Sequence, residues 1–138
     1  LAVVALLATL AAPSFNEQLA RRRLEGVATD LSTDLQFART QAVDDRDTVQ
    51  LVTENGGSRY RIVNAANATL KTVDLPAGIT ATNAVTVTYE QLRGTANAVQ
   101  ITLSNTRTSA QLRLDTNAMG RVSICTISGS LKGYTTCT

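Results

Sequence analysis

The chain opens with LAVVALLATLAA at residues 1–12, in which Thr9 is the only polar side chain. Pro13 follows, and an amphipathic, charged helical pattern then continues to about Asp45. An apolar helix that runs on into a water-compatible helix is typical of an element that begins in a membrane or a packed bundle and ends in water. This pattern indicates an anchored or assembling subunit rather than a free enzyme.

The helical pattern beyond Pro13 has apolar residues three to five positions apart, with polar residues, Asp34 among them, on the other faces. The apolar positions are Phe15, Leu19, Leu24, Val27, Ala28, Leu31, Leu35, Ala38 and Ala42. Ser14 could cap a new helix, but we favour a kink at Pro13 within one helix, because proline removes a single backbone hydrogen bond.

The apolar stretch is short for a membrane span. At about 1.5 Å per residue, residues 1–12 reach about 18 Å, against about 30 Å for a hydrocarbon core. Either the sequence begins inside a longer span, or this stretch is not a complete span. A cleaved signal peptide is the rival interpretation, and it fits poorly because no basic residues precede the apolar run.

After Asp47 the period changes to two, which predicts about seven short antiparallel strands. They fall at residues 48–52, 58–63, 70–75, within 79–90, and at 99–103, 110–114 and 121–125, with Asn55-Gly56-Gly57 as a hairpin turn. The predicted fold is α+β, with a helix over residues 1–46 and a β-rich head over 47–138. The second half of the helix is expected to pack on the sheet, and the first half to project as an apolar stalk.

Composition argues against catalysis. The chain has no histidine, so it lacks the commonest general base and the commonest zinc ligand. Its net charge is +2. We expect no metal, no cofactor and no small-molecule substrate. The acidic residues Asp44, Asp45 and Asp47 lack the spacing of a calcium loop, and a solvated helix end explains them.

Cys125 and Cys137 are the only cysteines. In an exported protein they would form one disulfide across a short loop. Two reduced, buried cysteines in a cytosolic chain are the alternative.

The helical segment resembles the N-terminal helix of type IV pilin-like proteins, and most of all the GspH/FimT branch of minor pilins and type II secretion minor pseudopilins. The matching features are the apolar run ended by Pro13, Phe15 just after it, the turn Arg21-Arg22-Arg23, the segment at 35–43, and Gly120-Arg121-Val122 leading to Cys125. The resemblance implies a ladle-shaped fold, with a leader cleaved and the mature end methylated upstream of Leu1.

The resemblance also implies a function. The apolar stalk would hold the subunit in the bacterial inner membrane with the head in the periplasm, and would then pack among other pilin subunits in a periplasmic or cell-surface filament. The residues expected in the membrane or filament core are Leu1, Val3, Val4, Leu6, Leu7, Leu10, Pro13 and Phe15.

The arginine turn after the stalk has several interpretations. Residues 21–23 could meet lipid phosphates, meet acidic groups of neighbouring subunits, or form a solvated helix face paired within the helix. The positive-inside rule would place these arginines in the cytoplasm, whereas the resemblance places them outside.

Some FimT-like proteins bind DNA for uptake through a Gly-Arg-x-Arg motif and a basic tail. Here the motif reads Gly120-Arg121-Val122-Ser123, with serine in place of the second arginine. The candidate DNA-binding residues are Arg107, Arg113, Arg121, Lys132 and Tyr134. So few phosphate contacts predict weak, salt-sensitive binding, and ordinary surface charges are the alternative.

Overall fold

Among the residues that the structure describes, the fold has one long α-helix, a short 3-10 helix at Asn55–Gly57 and nine strands. The computed structural model describes residues 1–128 and 131–138, and of residues 11–13 and 128 it describes the backbone alone. Helix α1 runs over Ala2–Asp44. The strands are β1 (Val49–Glu54), β2 (Arg59–Asn64), β3 (Thr69–Asp74), β4 (Ile79–Ala81), β5 (Thr86–Tyr89), β6 (Val99–Asn105), β7 (Gln111–Thr116), β8 (Val122–Ser128) and β9 (Thr135–Thr136). The α+β prediction is confirmed.

Helix α1 passes through Pro13 without a break, in agreement with one continuous helix, and the kink stays a prediction. The helix ends where the backbone turns left-handed: Arg46 has a φ of 53°, and the Asp47 N–H donates to the Ala42 carbonyl at 3.1 Å. This reversal directs the chain into β1.

The strands form two sheets where the sequence predicted one. The first sheet has the order β3-β2-β1-β5, and the second has the order β4-β6-β7-β8-β9. Every pairing is antiparallel except that of β8 with β9. β9 was not predicted because it has only two residues, Thr135 and Thr136, and so presents no period.

The segment at 79–90 divides between the sheets, because the chain crosses from one to the other at residues 82–85. Ala84 adopts a left-handed φ of 57° there. The Thr53 hydroxyl of β1 donates to the Thr82 carbonyl at 2.6 Å and accepts from the Val85 N–H at 2.9 Å. One side chain of the first sheet therefore fixes the crossing.

The second half of α1 packs across both sheets. Leu24, Leu31 and Leu35 are fully buried, and each contributes about 2–3 kcal/mol by leaving water. They face the inner side chains Leu51, Ile62 and Val87 of the first sheet and Ile101, Leu103, Leu112 and Leu114 of the second. The predicted apolar face is thus the core face from Leu24 onward, and the head covers it.

Asp34 corrects the predicted polar face, because the structure buries it. Its carboxylate accepts a hydrogen bond from the Tyr60 hydroxyl on β2 and lies 2.6 Å from the Lys71 ammonium on β3. Burial first, and then this hydrogen bond, raise the pKa of Tyr60. The two partners compensate the burial of a charge, and the helix is thereby linked to two strands of the first sheet.

Tyr89 gives a matched contrast to Tyr60. Its ring is also fully buried, and burial raises its pKa to about 12. Its hydroxyl, however, has no hydrogen-bond partner among the described residues.

We predict opposite results for the two tyrosine-to-phenylalanine changes. Tyr60→Phe should lower the free energy of unfolding by about 1.5–3 kcal/mol, since it removes a hydrogen bond to a charged group. Tyr89→Phe should leave stability unchanged or raise it by about 1 kcal/mol, since it removes a buried unpaired hydroxyl. Urea denaturation of the full chain in mild detergent measures both. Equal losses in the two variants would contradict this assignment.

Candidate functional site

The first half of α1 carries the largest exposed apolar surface among the described side chains. Val3, Val4, Leu6, Leu7 and Leu10 are each more than 60% exposed, as are Leu1 and Phe15. The helix is long and apolar enough to cross a membrane by length and composition. The side chain of Pro13, predicted in the same surface, lies outside the described residues.

Burial begins sharply along the helix. Leu19 is still 39% exposed, whereas Ala20 is 3% exposed and Leu24 is fully buried. The head therefore covers α1 from Ala20 onward, whereas the described side chains of residues 1–10 and 14–19 stay exposed. At about 1.5 Å per residue, the part of this helix up to Phe15 is about 22 Å long, against about 30 Å for a hydrocarbon core.

The contact at the end of this exposed region comes from the last residue of β6, next to the β6–β7 turn. The buried Asn105 side chain donates from Nδ2 to the Ala20 carbonyl at 3.2 Å, and its Oδ1 accepts from the Arg107 N–H at 3.0 Å. One amide side chain thus holds both the helix and the turn. Nothing in the sequence pattern marked Asn105 for this role, since it reads as an ordinary turn residue.

The candidate DNA-binding residues lie in different places. Arg107 and Lys132 lie beside the start of the buried half of α1, where Arg23 and Arg22 are. Arg121 follows Gly120, which packs against Arg39 near the other end of the helix. Positions 23 and 39 of α1 are about 24 Å apart along its axis. The five candidates therefore do not form one patch.

Two of the candidates have partners within the chain. Nε and Nη2 of Arg113 donate to the Asp115 carboxylate, at 2.7 and 2.9 Å. This pairing raises the pKa of Arg113. Tyr134 lies against α1, where burial first and the Glu25 carboxylate second raise the pKa of its phenol. The Arg113 guanidinium is thus already paired with a carboxylate, whereas Tyr134 is half-buried, and DNA binding stays a prediction.

Gly120 of the predicted motif has a packing role. Its φ is +77°, and a Cβ there would lie 2.3 Å from the Gly94 carbonyl oxygen. The adjoining loops are also joined by a hydrogen bond from the Ala96 N–H to the Ala118 carbonyl at 3.2 Å. A glycine is needed here because both the backbone angle and the close approach exclude a side chain.

The cysteines form the disulfide Cys125–Cys137 with a Cα–Cα distance of 5.0 Å. It joins β8 to the residue after β9, and the Cys137 N–H also donates to the Thr126 carbonyl at 3.0 Å. The C-terminal segment is thereby fixed to the sheet. Among the residues that the structure describes, no group of three histidine, cysteine, aspartate or glutamate side chains could hold a metal ion.

A helix with one buried and one exposed apolar half, on an antiparallel head, defines a pilin-like α+β protein. The family model described as Type II transport protein GspH matches residues 27–120, which is more than half of the chain. The chain belongs to this GspH family.

Solved structures agree with this assignment. A crystal structure of the type IV minor pilin FimU from Pseudomonas aeruginosa is 25% identical, with a TM-score of 0.62 over 75% of this chain and 89% of that one. A second crystal form of FimU is 24% identical, with a TM-score of 0.59 over 72% and 90% of the two chains. The pilin fold predicted from the resemblance is confirmed. No curated protein matches the chain significantly.

We predict that Gly120→Ala is more damaging than Gly133→Ala. Both glycines have positive φ angles, +77° and +91°, but no atom of the described residues lies within 4 Å of a Cβ built on Gly133. The backbone angle should cost about 1–2 kcal/mol at either position, and the clash with Gly94 should add to it only at Gly120. Thermal unfolding of the two variants measures this difference, and equal melting temperatures would refute the packing role.

Proposed function

We propose that this chain is a non-catalytic minor pilin or pseudopilin subunit. Residues 1–15 anchor it in the bacterial inner membrane with the head in the periplasm, and they then pack in the core of a type IV pilus or a type II secretion pseudopilus. The observation that carries this proposal is the exposed apolar half of α1, because an apolar surface of this size needs an apolar partner.

Membrane anchoring and filament assembly both depend on the exposed apolar surface of α1. Before assembly, lipid tails remove the exposed leucine and valine side chains from water. After assembly, the same side chains pack against the helices of neighbouring subunits. The head needs no change of shape between the two states, since its own core is complete without residues 1–19. Membership of the GspH family and the likeness to FimU support this function.

We predict that two charges in the exposed apolar half abolish membrane anchoring. A charged residue near the middle of a span costs about 2.5–3.5 kcal/mol, so Leu6→Lys with Leu7→Lys should move most of the chain out of the membrane fraction. The precursor would be expressed in a bacterial cell, and carbonate-washed membranes would be assayed for the protein.

The matched control is Asn16→Lys with Gln18→Lys. It adds the same charge to exposed positions beyond the apolar stretch, and it should remain in membranes as the wild type does. Recovery of the wild type in the soluble fraction, or retention of the Leu6/Leu7 variant in membranes, would overturn the proposed anchoring.

A further inference from the structure

Four basic side chains from three parts of the chain line two grooves beside α1, near the point where burial of the helix begins. Arg22 and Arg23 belong to the helix, Arg107 to the β6–β7 turn and Lys132 to the C-terminal segment. Arg23 and Arg107 line one groove together with Leu19 and Asn105. Arg22 and Lys132 line a second groove together with Gln18 and Glu25. We call these four residues the basic collar.

The head holds its two members of the collar in place. Arg107 is fixed by its N–H bond to Asn105, whose amide in turn bonds the Ala20 carbonyl of α1. Lys132 follows Leu131, which is 6% exposed and part of the hydrophobic core. The disulfide closes the segment that carries Lys132. The collar is therefore a product of the fold rather than of the arginine run alone.

The collar keeps its positive charge. All four side chains belong to exposed residues, and none has an ion-pair partner among the described residues. Elsewhere Arg59, Arg61, Lys71 and Arg113 are each paired with a carboxylate. Of the acidic groups near the collar, Glu17 pairs with Arg21 at 3.1 Å, and Glu25 lines the second groove with Arg22 and Lys132.

Side chains on an α-helix lean toward its N-terminus. In agreement with this direction, Arg23 lines its groove with Asn16 and Leu19, and Arg22 lines its groove with Gln18, close to the end of the exposed apolar surface. If residues 1–15 occupy a bilayer, this direction leads to the layer of lipid phosphates. Long basic side chains at such a boundary place their charge among the headgroups while their stems cover apolar surface.

We propose that the basic collar binds the phosphate groups of acidic phospholipids in the leaflet that the head faces. This proposal rests on the proposed membrane anchoring and adds to it a lipid preference and a fixed depth for the head. It also gives Arg107 and Lys132 a different partner from the DNA that the motif suggested. In the anchored state the bilayer would lie beside the collar, on the side from which a DNA duplex would have to approach.

The test is the lipid composition retained by the full chain. The chain would be reconstituted in vesicles of equal parts phosphatidylglycerol and phosphatidylcholine and extracted in mild detergent, and the co-purified lipids would be quantified by mass spectrometry. We expect an excess of phosphatidylglycerol over phosphatidylcholine of about threefold or more, and its loss in molar salt because the attraction is screened.

Arg22→Gln, Arg107→Gln and Lys132→Gln combined should bring this ratio close to one. The matched control combines Arg46→Gln, Arg93→Gln and Arg121→Gln, which removes the same charge from exposed residues outside the collar and should keep the wild-type ratio. Circular dichroism of both triple variants checks that they fold.

The other outcomes are distinguishable. If the wild type fails to insert in the mixed vesicles, the proposed anchoring fails, and the collar proposal fails with it. If it inserts but retains both lipids equally, the collar proposal is overturned while anchoring stands. If the collar variant instead loses a gel shift with duplex DNA and no lipid preference exists, the collar is a DNA-binding surface and the proposal is wrong.

Discussion

The packing of one helix face across two sheets is the interaction on which the rest of this structure depends. Leu24, Leu31 and Leu35 are fully buried between α1 and the inner faces of both sheets. Since the sheets are separate hydrogen-bonded units, the helix is what gives them a common core. The same packing stops at Ala20, and it thereby leaves the apolar half of α1 outside the head. Helix α1 therefore stabilises the head through its second half and provides the exposed apolar surface through its first half.

The sequence predicted the helix, its core face and most strands because each has a clear period. It missed features that depend on contacts distant in the chain. Asp34 falls on the polar face by spacing, yet it is buried because Tyr60 and Lys71 are brought to it by β2 and β3. The crossing at 82–85 was likewise hidden, because the bonds of Thr53 that fix it join residues about thirty positions apart.

The candidate site, too, could be predicted from the sequence only in part. The exposed apolar residues could be predicted, because hydropathy marks the apolar run and the resemblance places it outside the head. The grouping of the basic residues could not. Arg107 and Arg121 are close in sequence, but the fold sends one to the start of the covered helix and the other toward Arg39. Gly120, noted as part of a motif, has a packing role that only the approach to Gly94 reveals.

Amide hydrogen exchange along α1 in a phospholipid bilayer tests the central claim most directly. We predict two protected blocks: residues 2–10, shielded by lipid, and residues 24–42, shielded by the head. Residues 16–19, which lie between the two blocks and are exposed, should exchange faster. Rapid exchange throughout residues 2–10 in the bilayer, beside a protected second block, would contradict the claim that the uncovered half of the helix is a membrane-inserting surface.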